Sequence, residues 1–143
     1  MFDLTGRVVV VSGASSGLGA QMAEGFAAQG ADLIITARRL DRLEALADKI
    51  RGMGRKCLPL RCDLTDPDMV EETAKKAEEA FGKIDVLVNC AGSAKNAGVL
   101  DMTNDEWDFT IATDMSSVFY VTRAFARIMK KNNYGRIINI ASM

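Results

Sequence analysis

The chain has 143 residues, 48% apolar and 26% charged, with a net charge of −1 and no histidine. That balance suits one globular domain and excludes both a disordered chain and a general nucleic-acid binder. No apolar run approaches the ~20 residues that span a bilayer, and Met1-Phe2-Asp3-Leu4-Thr5-Gly6 lacks the basic and apolar regions of a signal peptide. Cys57, Cys62 and Cys90 form no C-x-x-C pair, which with the missing histidines argues against a metal site and for a reducing, cytoplasmic setting. The cysteines read as small apolar filler. Without histidine, Ser-His-Asp and Cys-His catalysis are excluded as well.

In chain order, Val8-Val9-Val10-Val11 predicts a strand buried on both faces. A turn with glycines at 13, 17 and 19 follows, then a helix with Met22, Phe26 and Ala27 on one side. Gly30 closes that helix, and residues 31–37 predict a second strand. Residues 40–51 predict a helix through Leu40, Leu43, Leu46, Ala47 and Ile50, ended by Gly52 and Gly54, and residues 56–62 a third strand. Thr65-Asp66-Pro67 starts a helix that carries Val70, Ala74, Ala77 and Phe81 and stops at Gly82. Residues 84–89 predict a fourth strand, followed by a loop of small residues to Leu100. Thr103 to Glu106 is a capping box opening a long helix. Its predicted buried side is Trp107, Ile111, Met115, Val118, Phe119, Thr122, Phe125 and Met129, a wide stripe that packs the core or serves a subunit interface. After a turn at residues 132–135, residues 136–141 predict a fifth strand.

Residues 1–143 therefore read as one domain of alternating strands and helices, with no repeat or linker. The alternation predicts the α/β class: a doubly wound parallel sheet, Rossmann-like, with ligands at the carboxyl ends of its strands. One crevice should then gather residues 13–19, 37–39, 62–64 and 89–92, with Ser142 at the end of the fifth strand.

The glycine turn has a physical rationale. A helix N-terminus leaves backbone N–H groups unpaired and carries partial positive charge, so a diphosphate docks there if no side chain intervenes. Gly13 lets the chain turn, Gly17 lets the diphosphate approach, and Gly19 lets the helix pack close. Ser15 and Ser16 add hydroxyls. The alternative is a turn whose glycines serve packing alone. Arg38 follows the second strand, where a dinucleotide fold meets the adenine ribose. A carboxylate there would bind the 2′-hydroxyl of NAD, whereas a guanidinium suits a 2′-phosphate. NADP(H) is the favoured cofactor and NAD(H) the alternative, with a solvated surface arginine as the plain reading. Asp63 either accepts from the adenine amine or forms a turn.

Ser12-Gly13-x-x-x-Gly17-x-Gly19 resembles the T-G-x-x-x-G-x-G of short-chain dehydrogenases/reductases. Asn89-Cys90-Ala91-Gly92 resembles their N-N-A-G, Cys62-Asp63-Leu64 their acidic residue after the third strand, and residues 135–142 their fifth strand ending in a catalytic serine. The resemblance implies an oxidoreductase moving a hydride between nicotinamide and a carbonyl or alcohol substrate. It implies cofactor contacts from Gly13, Ser15, Ser16, Gly17, Leu18, Gly19, Arg38, Arg39, Asp63, Leu64, Asn89, Ala91 and Gly92. It makes Ser142 the group that orients the substrate oxygen, and it implies a homodimer or homotetramer.

Three departures stand out. Neither tyrosine begins a Tyr-x-x-x-Lys motif: Tyr120 is followed by Ala124 and Tyr134 by Ile138. In the family that motif lies beyond the position of Met143, so the chain resembles an amino-terminal portion, with five strands of an expected seven and no activity of its own. Asp114 stands where the family carries an asparagine, and a carboxylate accepts hydrogen bonds but cannot donate them. Ser16 stands where many NADP-dependent members have a basic residue. A non-catalytic nucleotide-binding or interaction domain is the alternative reading.

Overall fold

The protein is described by a computed structural model covering residues 2–93 and 97–141. The elements run β1 (Val8–Ser12), α1 (Gly17–Ala28), β2 (Asp32–Ala37), α2 (Leu40–Gly52), β3 (Cys57–Arg61), α3 (Pro67–Phe81) and β4 (Val86–Asn89). Then come α4 (Asn104–Ile111), a π-helical turn (Ala112–Ser116), α5 (Ser117–Lys131) and β5 (Arg136–Asn139). All strand pairs are parallel, in the order β3-β2-β1-β4-β5. The chain winds outward from β1 to β3, then crosses back to β4. The gap between β1 and β4 is therefore the switch point of the sheet, where such folds place their ligands.

The valine run explains the centre. Val9 and Val11 face the layer of α1 and α2, while Val8 and Val10 face that of α3 and α5. All four are at most 4% exposed. Each such side chain stabilises the fold by about 1.5–3 kcal/mol relative to an exposed one. Local signals set the helix starts. The Asp66 carboxylate accepts from the N–H groups of Asp68 and Met69, with Pro67 in the first turn. Thr103 and Glu106 form the reciprocal capping box. Gly82, at φ +72°, closes α3 in the left-handed conformation.

The structure departs from the predicted long helix in two ways. The π-helical turn interrupts it, shifting the phase between α4 and α5. The buried face also lies elsewhere: α5 buries Ser117, Val121, Ala124, Phe125, Ile128 and Met129, and α4 buries no residue fully. Trp107, Met115 and Phe119 are more than half exposed. The reason is the register of α5 against α3 and β4, which turns the ridge through Trp107, Ile111, Met115 and Phe119 away from the sheet. The β5 isoleucines, Ile137 and Ile138, are also exposed, because β5 is an edge strand.

At the amino-terminal ends of the strands a charge cluster ties the sheet together. Asp85 is buried and accepts from the Val8 N–H, from Arg7 and from Lys83. Burial opposes its ionisation, but those three donors outweigh it and hold the carboxyl below its ordinary value. Arg7 and Arg136 both lie over the ring of Tyr134, at 4.6 and 4.8 Å from its centroid.

Candidate nucleotide-binding site

A crevice of about 800 Å³ opens over the carboxyl ends of the strands. Its floor is the switch point. The Ser12 hydroxyl accepts from the Cys90 N–H at 3.2 Å, joining β1 to the loop after β4. The glycine turn hooks onto β2, where the carbonyl of Thr36 accepts from the N–H groups of Gly13 and Ala14. At Gly13 (φ +75°) a Cβ would lie 2.6 Å from the Cα of Ala91, and at Gly19 one would lie 2.4 Å from the Gly13 carbonyl oxygen. Both positions thus require glycine for close approach. Gly17 (φ +58°) is different, because nothing lies within 4 Å of a Cβ placed there. Its open side leaves room at the start of α1.

That start carries no side-chain cap. The caps of α3 and α4 are filled by Asp66 and by Thr103 with Glu106, and α2, also uncapped, carries Asp41 in its first turn. The first turn of α1 has no acidic residue, so its backbone donors remain available to an anion.

The crevice gathers most of the predicted residues: Gly13, Ser15, Ser16, Leu18 and Gly19 from the turn, Arg38 and Arg39 after β2, Asp63 and Leu64 after β3, and Ala91 and Gly92 after β4. Leu18 is well exposed on its rim. Asp63 makes a turn, as its Oδ1 accepts from both the N–H and the hydroxyl of Thr65. Those bonds lower its pKa, burial opposes them, and the charges of Arg38 and Arg61 add to the lowering. Arg39 reaches back across the mouth, where its Nη2 donates to the Ser15 hydroxyl at 3.0 Å and to that of Ser16 at 3.2 Å.

Three predicted residues stand outside the lining. Asn89 is buried, and its Nδ2 donates to Thr122 and Asn139, tying β4 to α5 and β5. Its Oδ1 has no partner among the described residues. Asp114 lies in the π-helical turn, and its Oδ1 accepts from the Ser93 N–H at 2.8 Å, pinning the loop after β4. Gly17 opens beside the lining. Ser142 lies outside the described residues.

Sequence reasoning missed a wall. Phe109, Ala112, Thr113 and Ser117 border the crevice from α4, the π-helical turn and the start of α5. The small polar Thr113 and Ser117 within an apolar helix were the available signal. Cys90 also lines the crevice, and burial pushes its thiol pKa up, so it remains a neutral, weakly nucleophilic group. Among the described residues no group of three His, Cys, Asp or Glu could hold a metal ion, and no helix is long and apolar enough to cross a membrane.

The crevice matches known proteins along the whole chain. The family model described as short chain dehydrogenase aligns with residues 7–143. The 3-oxoacyl-[acyl-carrier-protein] reductase FabG of Escherichia coli (strain K12) is 38% identical over 141 residues, covering 99% of this chain and 57% of that relative. A metagenomic short-chain oxidoreductase solved in complex with NADP superposes with a TM-score of 0.92 at 37% identity, over 98% of this chain and 64% of that one. A 7α-hydroxysteroid dehydrogenase complexed with NADH and a bile-acid derivative gives 0.94 at 30% identity, over 99% of this chain and 55% of that one. The chain thus spans about half the length of the curated relatives it matches. Glycine turn, switch-point crevice and alignment over nearly every residue agree: the chain belongs to the short-chain dehydrogenase/reductase family.

Proposed function

We propose that the protein is an NADP(H)-dependent oxidoreductase that interconverts a carbonyl and an alcohol on a small-molecule substrate. The observation that carries this reading is the composition of the crevice beyond β2. Two arginines and two serine hydroxyls stand where a 2′-hydroxyl reader would need a carboxylate. The uncapped start of α1 and the open side of Gly17 fit a diphosphate.

Gly13 to Gly19 would hold that diphosphate, Arg38 and Arg39 the 2′-phosphate, Asp63 and Leu64 the adenine, and Ala91 and Gly92 the middle of the cofactor. Asn89 supports the last pair through β4. Bound there, the nicotinamide ring supplies the hydride chemistry. Asp114 holds the Ser93 backbone in place, and Ser142 orients the substrate oxygen. The proton donor is the family's Tyr-x-x-x-Lys pair, which we place beyond residue 143. A phenol needs a neighbouring cation to ionise near neutral pH. The setting is the cytoplasm, and the exposed ridge of Trp107, Met115 and Phe119 serves a homodimer or homotetramer.

Direct titration of the full-length protein tests the cofactor assignment. NADPH should bind more tightly than NADH, and Arg38→Asp should narrow or reverse the difference. Equal affinities in the wild type would overturn it. Residues 1–143 alone should reduce no carbonyl substrate, and NADPH oxidation above background by that purified piece would contradict the placement of the proton donor.

A further inference from the structure

We propose that Arg39, and not Arg38, is the residue that selects the cofactor's 2′-phosphate, with Ser15 and Ser16 as the posts that hold its guanidinium in place. This rests on the NADP(H) reading above and assigns its specificity to one side chain.

The two arginines are adjacent in sequence but not equivalent in the crevice. Arg39 crosses the mouth, and both hydrogens of its Nη2 are taken by the hydroxyl oxygens of Ser15 and Ser16. An arginine has five N–H donors, so Nε and Nη1 keep three, and no described residue accepts from them. The serines act only as acceptors in this arrangement. Each keeps its own O–H hydrogen, which is free to donate to a third group. The result is a cluster of donors around one position, with no carboxylate among the hydrogen-bond partners. A phosphate monoester, with its dianionic charge and three terminal oxygens, is the ligand class that such a cluster suits.

Arg38 is placed differently. It borders the crevice, but Asp63 lies within its field, so part of its charge is already offset. Its backbone carbonyl accepts from the Nε of Arg61 at 3.4 Å, and no described side chain holds its guanidinium. An unheld arginine loses more rotamer freedom when it binds than one already anchored. Arg39 is anchored before the ligand arrives. It also brings a positive charge to the Ser16 hydroxyl, so that the turn needs no basic residue of its own.

Two nucleotides that differ only in the 2′-phosphate test this: adenosine 2′,5′-bisphosphate and adenosine 5′-monophosphate, titrated calorimetrically into the full-length protein. The wild type should prefer the bisphosphate by about tenfold or more, the scale of a charge-assisted contact. Arg39→Ala should bring the two affinities within about threefold, while Arg38→Ala keeps most of the preference. The double variant Ser15→Ala/Ser16→Ala keeps the charge but removes the posts, and should lose part of the preference. Thermal unfolding confirms that each variant is folded, and these side chains reach solvent. A full preference in Arg39→Ala, or an equal loss in Arg38→Ala, overturns the inference and leaves the NADP(H) reading standing. A wild type without preference overturns that reading, and the inference with it.

Discussion

The two ends of the sheet carry similar groups and treat them in opposite ways. At the amino-terminal end, Asp85 is surrounded by the Val8 N–H, Arg7 and Lys83, and Tyr134 lies between Arg7 and Arg136. Each charge there has a partner within the protein. At the carboxyl end, α1 begins uncapped, Arg39 keeps three donors to spare, and the Oδ1 of Asn89 has no partner among the described residues. Buried polar groups left unmatched cost stability, so a fold keeps them only where something else is served. One end holds the sheet together, and the other is arranged to receive an anion.

Substitutions at the two ends should separate these roles. The largest effect is expected at Gly13. Gly13→Ala combines a left-handed φ with a backbone clash against Ala91, and should cost about 3 kcal/mol or more and abolish nucleotide binding. Calorimetric unfolding and titration read both. Asp85→Ala should cost about 2 kcal/mol, because the Val8 N–H loses its acceptor, while the nucleotide affinity of the folded protein stays unchanged. Its pH dependence has a definite sign. The folded pKa of Asp85 lies below the unfolded one, so its contribution is complete above the ordinary carboxylate range. It fades as pH falls through the lowered folded value, and the stability gap between wild type and variant should close there. A binding defect in Asp85→Ala would break the division between the two ends.

Gly17→Ala should cost only about 1 kcal/mol of stability, from the left-handed φ with no clash, yet weaken nucleotide binding by a larger factor. The smallest effect is expected at Asp114. Asp114→Asn keeps an acceptor for the Ser93 N–H and should change stability little, whereas Asp114→Ala should cost about 1 kcal/mol and expose the Ser93 amide to hydrogen exchange.

What the sequence disclosed follows from range. The valine run, the Asp66-Pro67 start and the Thr103–Glu106 box act within a few residues, and all three stand as read. The crevice was also legible, because alternating elements fix where strand ends meet. Contacts spanning the chain were not. Arg39 bonds Ser15 and Ser16 across 24 and 23 residues, and Asn89 reaches Thr122 and Asn139 across 33 and 50. Nothing local marks such partners. The buried face of α5 was misjudged for a related reason: a period of 3.6 assumes an unbroken helix, and the extra residue of a π-helical turn resets the count.

That turn also sets where the protein tolerates loss. Deleting one residue from a regular helix rotates everything after it by about 100° and usually ruins the packing. Ala112–Ser116 already contains the surplus, so a one-residue deletion there has somewhere to be absorbed: the segment can relax to ordinary helical bonding while α5 keeps its seat on α3. The casualty would be the placement of Asp114 and the loop it pins, not the fold. In this stretch, length variation edits the reaction chamber and spares the framework.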